Sequence, residues 1–257
     1  EGMEYYSTIL WYLHQQVDLS YLAHKLVEFD RQSPESWCVV GNCFSLQNEH
    51  LSALKIFKRA IQLNPNFAYA YTLSGHEYLA IDDLEKAAVC FRNAIQVDER
   101  HYNAWYGLGM IYFRQEQLTM AEFHFNKAVS IHKENSVLHY HISMVQFAQH
   151  RFEESYETAK HAVKLCPTNN MAIFQQARAL SALCAYEEAL ETLEMLNERV
   201  PKQARIYYAL GRLYKILDRI DDAARALTIA QNLDPQNSNV IKLALDRLEQ
   251  PDDENEE

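Results

Sequence analysis

Apolar and small residues return along this chain at a fixed spacing. From Pro34 to Phe67, PESWCVVGNCFSLQNEHLSALKIFKRAIQLNPNF, the residues Trp37, Val40, Gly41 and Phe44 stand three and four apart and share one stripe of a helix. After the polar break Gln47-Asn48-Glu49, a second stripe follows in Ala53, Phe57, Ala60 and Ile61. The arrangement returns every 34 residues, opening again at Ala68, Tyr102, Ser136, Asn170 and Ala204 with no insertion. With Pro34 as position 1, small residues fall at 8 and 20 and aromatics at 4, 11 and 24. Small residues let two antiparallel backbones approach, and the aromatics fill the space beside them. Proline at position 32 (Pro65, Pro167, Pro201, Pro235) suits a connection, because it pre-sets a turn and cannot sit inside a helix.

This is the tetratricopeptide pattern. It implies an all-α solenoid, a right-handed superhelix of antiparallel helix pairs in which each repeat buries its apolar faces against its neighbours. Repeats opening at Pro34, Ala68, Tyr102 and Ala204 match it well. The fourth is weaker, with His139, Ser143, Gln146 and Ser155 at pattern positions, and the fifth carries Leu193 and Leu196 at positions 24 and 27. Six repeats therefore occupy 34–237.

Residues 1–33 read as a degenerate first helix pair, with Trp11, Ser20 and Val27 at pattern positions and helices over about 3–14 and 18–30. Residues 238–250 read as a capping helix whose Val240, Leu243 and Leu248 cover the last repeat. The closing stretch 251–257, PDDENEE, has too little apolar surface to order itself. The chain opens without Met and reads as a piece of something longer.

Composition narrows the function by exclusion. Apolar residues make up 48% of the chain and charged residues 23%, with no apolar run of membrane-spanning length, as in a soluble globular protein. Four of the six glycines hold position 8, which leaves no phosphate-binding loop. A formal net charge of -11 argues against a nucleic-acid partner. Five cysteines without a CxxC read as reduced thiols of a cytosolic or nuclear protein. The 11 histidines show no metal-site spacing, and the acid pairs fall at helix starts, so no metal, cofactor or enzyme activity is expected.

The remaining candidate is the inner surface lined by the first helices, at positions near 2, 5, 6, 9 and 12. In the first three repeats these include Glu35, Cys38, Asn42, Thr72, His76, Asn103, Tyr106, Gly107 and Met110, with Glu77 at position 10. Later repeats add Phe147, Phe174, Gln175 and Tyr208 and the cations Arg178, Arg205, Arg212 and Lys215. The groove thus runs from neutral and aromatic to basic, which suits an extended peptide. The basic end either captures an acidic segment or pairs with local carboxylates such as Asp218 or Glu188.

Particular strings carry more than the repeat: EGMEYYSTILW, SPESWCVVGNCFSLQNEH, PNFAYAYTLSGHEY and RHYNAWYGLGMIYF. They closely resemble the family of cell division cycle protein twenty-seven subunits of the anaphase-promoting complex (cyclosome), a ubiquitin ligase of the cell cycle. The resemblance implies a non-catalytic scaffold of nucleus and cytoplasm that joins other subunits of that complex. It also implies that the groove receives the C-terminal Ile-Arg tails of co-activators and of the substrate-receptor subunit, with Asn42 as the groove asparagine. On that basis Asn42 clamps the tail carboxylate, Glu35 or Glu77 takes the guanidinium, and Cys38, Tyr106 and Met110 enclose the Ile, with Thr72, His76 and Asn103 around them. The alternative is a chaperone-type repeat module that clamps an acidic C-terminal peptide. Of the residues that clamp needs, only Asn42 is in place; Cys38, Leu73, Asn103 and Gly107 hold the others.

Overall fold

The computed structural model describes residues 2–235, 238–246 and 248. Among them are fifteen α-helices and no strand. The first helices of successive pairs are α1 (Met3–Tyr12), α3 (Pro34–Leu46), α5 (Ala68–Ala80), α7 (Tyr102–Arg114), α9 (Ser136–Ala148), α11 (Asn170–Ala182) and α13 (Ala204–Ile216). Their partners are α2 (Gln16–Phe29), α4 (His50–Leu63), α6 (Leu84–Val97), α8 (Leu118–Ile131), α10 (Phe152–Leu165), α12 (Tyr186–Arg199) and α14 (Ile220–Leu233), and α15 (Ser238–Asp246) closes the series. The helices form two compact units, Glu1–Lys133 and Glu134–Glu257. Their boundary falls where position 32 holds Lys133 instead of proline.

Helix starts follow local chemistry. Ser33 accepts a hydrogen bond from the Ser36 amide with Pro34 in the first turn, and Asp83, Asn135 and Asn169 cap α6, α9 and α11 in the same way. Each first helix ends alike. In α3 the Asn48 amide donates to the Ser45 carbonyl and the Glu49 amide to the Phe44 carbonyl, with Asn48 left-handed at φ 60°. His14, Asp82, Glu116, His150, Cys184 and Asp218 repeat that conformation at the same spacing.

In unit 1 the core is pinned by one buried ring per repeat. Phe57, Phe91 and Phe125 are fully buried, each contributing about 2–3 kcal/mol of transfer free energy. A methyl added at Gly75 would lie 2.6 Å from Phe91, and one added at Gly109 would lie 2.5 Å from Phe125. Gly107 of α7 closes on the same Phe91 ring from the following repeat. The ring therefore holds α5, α6 and α7 together.

Unit 2 solves the same approach differently. At positions 8 and 20 the fourth repeat has two fully buried serines. Ser143 donates to the Ser155 carbonyl at 2.7 Å, and Ser155 donates to the Ser143 carbonyl at 2.8 Å. Buried hydroxyls need partners, and the exchange supplies them at backbone-contact distance. Leu193 and Leu196 of the fifth repeat fill a core with Ile206, Leu210 and Leu213.

Two sequence expectations need correction. The first pair is shifted by one residue: Leu10, Leu19 and Ala23 are its buried apolar residues, Ser20 is exposed, and α1 and α2 end earlier than expected. Counting from Glu1 gives a 33-residue repeat, whereas the left-handed His14 lies 34 residues before Asn48 and fixes the true register. On α15, Val240 and Leu243 are exposed, and Ile241 and Leu248 are the buried contacts with Ala223, Leu227 and Ala230. The stretch 251–257 lies outside the described residues.

Gly75→Leu and Gly109→Leu should each lower stability by about 1–3 kcal/mol through overpacking against Phe91 and Phe125. Urea unfolding of the variants checks this, and an unchanged midpoint would show that neither close approach matters.

Candidate functional site

In unit 1 the first helices bring the expected tail residues together, but several turn inward. Cys38 is fully buried, and its thiol pKa is raised by that burial. Thr72 is buried and donates to the Ala68 carbonyl at 3.1 Å. At position 6, Val39 and Gly107 face the preceding repeat: Val39 packs with Leu10 and Leu19, and Gly107 lies against Phe91. Glu35, His76, Asn103, Tyr106 and Met110 remain half-buried along α3, α5 and α7.

Asn42 is buried, and its side-chain amide donates to Ser7 Oγ at 2.9 Å and to Thr8 Oγ1 at 3.5 Å. Helix α1 therefore lies against the inner side of α3. It reaches α5 as well, where the Tyr69 hydroxyl donates to the Glu4 carbonyl at 3.2 Å and bonds Thr8, and the Tyr5 and Tyr69 rings meet edge-on at 5.3 Å. Glu4 is buried, with Oε2 lacking a hydrogen-bond partner among the described residues. Spacing alone does not assign Glu4, Ser7 and Thr8 to the site. The one-residue slip in the first pair hid them, because the corrected register puts Ser7 at position 8.

Glu77 does not face the groove. It is buried and accepts from Ser45 Oγ at 2.6 Å while His50 Nδ1 lies 2.8 Å from its other oxygen, and Trp11 Nε1 donates to the same Ser45 hydroxyl at 3.1 Å. The carboxylate thus ties three consecutive repeats together. Both of its oxygens are engaged by side chains of this chain.

His76 packs edge-on against the Phe91 ring at 5.1 Å, and desolvation, with a smaller contribution from His101, lowers its pKa to about 4. Burial brings His141 in unit 2 down to about 4 as well. Both imidazoles are neutral at pH 7 and serve as apolar-faced rings. No group of three or more His, Cys, Asp or Glu among the described residues is placed to hold a metal. None of their helices is long and apolar enough to cross a membrane.

In unit 2, Arg178, Arg205 and Arg212 line one cavity of about 500 Å³ with Phe147, Phe174 and Tyr208. Lys215 lines a neighbouring cavity of about 380 Å³ with Arg212, Tyr208 and Val240.

Models of the tetratricopeptide repeat match residues 34–67, 68–101, 102–135 and 204–237, together more than half of the chain. The chain belongs to the tetratricopeptide-repeat family. Among curated proteins, it is 60% identical over 87 residues to protein bimA of Emericella nidulans, 56% over 87 to cell division cycle protein 27 homolog A of Arabidopsis thaliana, and 58% over 87 to anaphase-promoting complex subunit 3 of Schizosaccharomyces pombe. Each match takes in 34% of this chain and only 11%, 12% and 13% of those proteins in turn.

Among solved structures, the Cut9–Hcn1 hetero-tetramer of the anaphase-promoting complex aligns with TM-score 0.85 over 94% of this chain and 48% of the other, at 16% identity, which bears on the fold alone. YrrB, described as a tetratricopeptide-repeat protein with an unusual peptide-binding site, aligns with TM-score 0.58 at 25% identity over 74% of this chain and 97% of its own. The all-α tetratricopeptide-repeat solenoid and the resemblance to cell division cycle protein 27 and anaphase-promoting complex subunit 3 both stand on these findings.

Two outcomes follow from the buried polar groups. Glu77→Ala should cost about 1–3 kcal/mol by leaving Ser45 and His50 without their acceptor, read as a lower denaturation midpoint. Because His76 takes up a proton near pH 6.5 when unfolded but only near pH 4 when folded, stability should fall as pH drops from about 7 towards 4. At pH 5 the loss is about 1–2 kcal/mol for this side chain. Melting curves at pH 7 and pH 5 check it, with His76→Gln expected to show the smaller change.

Proposed function

We propose that the chain is a non-catalytic, peptide-binding part of a scaffold subunit of the anaphase-promoting complex, acting in nucleus and cytoplasm. Its partners are the other subunits and the C-terminal Ile-Arg tails of co-activators and of the substrate receptor. The 50–60% identity to cell division cycle protein 27 homologues and anaphase-promoting complex subunit 3 supports the subunit assignment. YrrB supports peptide binding as a use of this fold.

The observation that carries the tail reading is the Asn42 side-chain amide, an uncharged buried donor on α3 whose present acceptors are only the Ser7 and Thr8 hydroxyls of α1. A terminal carboxylate is the stronger acceptor and would take their place in a charge-assisted bond. Glu35 is half-buried, accepts from Ser33 at 2.5 Å and remains the acceptor for the guanidinium, with the unpartnered Glu4 Oε2 replacing Glu77 as the second. Tyr106 and Met110 then enclose the Ile, while Cys38 and Thr72 support the wall from within. His76 and Asn103 border the same space. The chaperone-type reading gains nothing from the structure, because the one residue it shares, Asn42, is not flanked by the cations an acidic terminus needs.

A labelled peptide ending in Ile-Arg should bind the wild type and lose roughly 1–3 kcal/mol with Asn42→Ala, measured at a temperature where circular dichroism shows both proteins folded. The same peptide with its terminus amidated should bind weakly to both. Equal affinities in all four combinations would remove the tail from this groove.

A further inference from the structure

Several exposed cations on this chain sit beside acids. Lys86 pairs with Asp83, Arg114 with Asp82, Arg151 with Glu154, and Arg219 and Arg225 with Asp222. The three arginines of the 500 Å³ cavity in unit 2 do not: Arg178, Arg205 and Arg212 form no ion pair with any described residue. Asp218 and Glu188, the local carboxylates a purely structural role would call on, are not their partners.

Their side chains are nevertheless positioned. The Arg178 guanidinium lies 4.4 Å from the centre of the Phe147 ring and donates to Gln175 Oε1 at 3.1 Å. Gln175 is itself held by Ser143 and Ser155. The Arg205 guanidinium lies 5.6 Å from the Phe174 ring, one repeat further on. Arg178 and Arg205 are thus each laid on an aromatic face supplied by the preceding repeat, which fixes the planar group while leaving hydrogen-bond donors unused. Burial, offset by Tyr140 and reinforced by the like charge of Arg205, lowers the pKa of Arg178, although it stays charged. Three like charges gathered without a counter-charge are unfavourable to the free chain, and an anion binding among them relieves that cost.

Apart from Ser181, the rest of the lining is aliphatic or aromatic, including Ile216, which is 43% exposed. A bare anion would leave that surface wet, and a nucleic acid is disfavoured by the formal net charge of -11. A few residues of extended peptide match a cavity of this size and its mixture of aromatic walls and convergent cations.

We propose that this cavity binds an acidic segment of a partner protein, an apolar side chain of the segment resting between Phe147, Phe174 and Tyr208 and its flanking carboxylates on Arg178, Arg205 and Arg212. The site uses other residues than the tail groove of unit 1 and takes a net-negative ligand, whereas an Ile-Arg end carries one charge of each sign.

The probe is a fluorescein-labelled heptapeptide, DELFEDE, titrated against the whole chain. It should bind saturably, weaken roughly tenfold when its acids are replaced by amides (NQLFQNQ), and weaken again when Leu-Phe is replaced by Gly-Gly. Arg178→Gln and Arg212→Gln should each weaken it by roughly fivefold to tenfold, with circular dichroism showing that each variant is folded at the temperature of the titration. Asn42→Ala should leave this binding unchanged, so failure here and failure of the tail reading are told apart. Equal binding of the acid and amide peptides, or of wild type and both arginine variants, would overturn the proposal. Binding that appears only after residues 251–257 are deleted would assign the cavity to the chain's own acidic end and overturn the partner assignment.

Discussion

Within each repeat, the distance at which two helix backbones can meet sets almost everything else. Where Gly75 meets Phe91 there is no room for even one added carbon, and Gly107 of the next repeat closes on the same ring. A phenylalanine pressed between two glycines contacts main chain on both sides, so its position leaves little freedom to α5, α6 or α7. Interiors at crystal-like density transmit such constraints, since a shift at one contact must be taken up by the next. The serine exchange of the fourth repeat shows that short distance, and not glycine as such, is what the architecture requires.

Given that spacing, the function of the inner surface follows from which side chains the first helices cannot bury. At position 6, Val39, Gly107 and Gln175 are spent on the preceding repeat. Positions 2, 5, 9 and 12 are left to vary. In unit 1 they carry amide, hydroxyl and aromatic groups, and part of that surface is already satisfied by α1. In unit 2 they carry arginines laid on phenylalanines. The same scaffold therefore offers two chemically different surfaces, and neither includes an arrangement for making or breaking bonds.

The helix pairs and their packing were legible because the signals are local and periodic: a small residue at 8, an aromatic at 24, a proline at 32. The basic cavity was legible for the same reason, since Arg178, Arg205 and Arg212 sit at groove positions of well-registered repeats. The tail site was harder to read. Glu77 looked available at position 10, but its destination depends on Ser45 and His50 of another repeat, a tertiary matter that spacing does not encode. The burial of Asn42 depends on α1, whose register shows only when the left-handed His14 is aligned with Asn48. The missed Glu4, Ser7 and Thr8 are ordinary helix residues until that alignment is made.

Those left-handed residues carry a further implication. Seven turns end in His14, Asn48, Asp82, Glu116, His150, Cys184 and Asp218, none of them glycine, although the conformation costs a side-chain-bearing residue about 1–2 kcal/mol. Glycine there would avoid that strain. Accepting the strain at every turn leaves each of these side chains exposed on the rim, with Asp82 beside Arg114 and His150 against the Phe152 ring. The rim is thus a band of exposed positions, at one-repeat intervals, on which surface character can drift apart from the core.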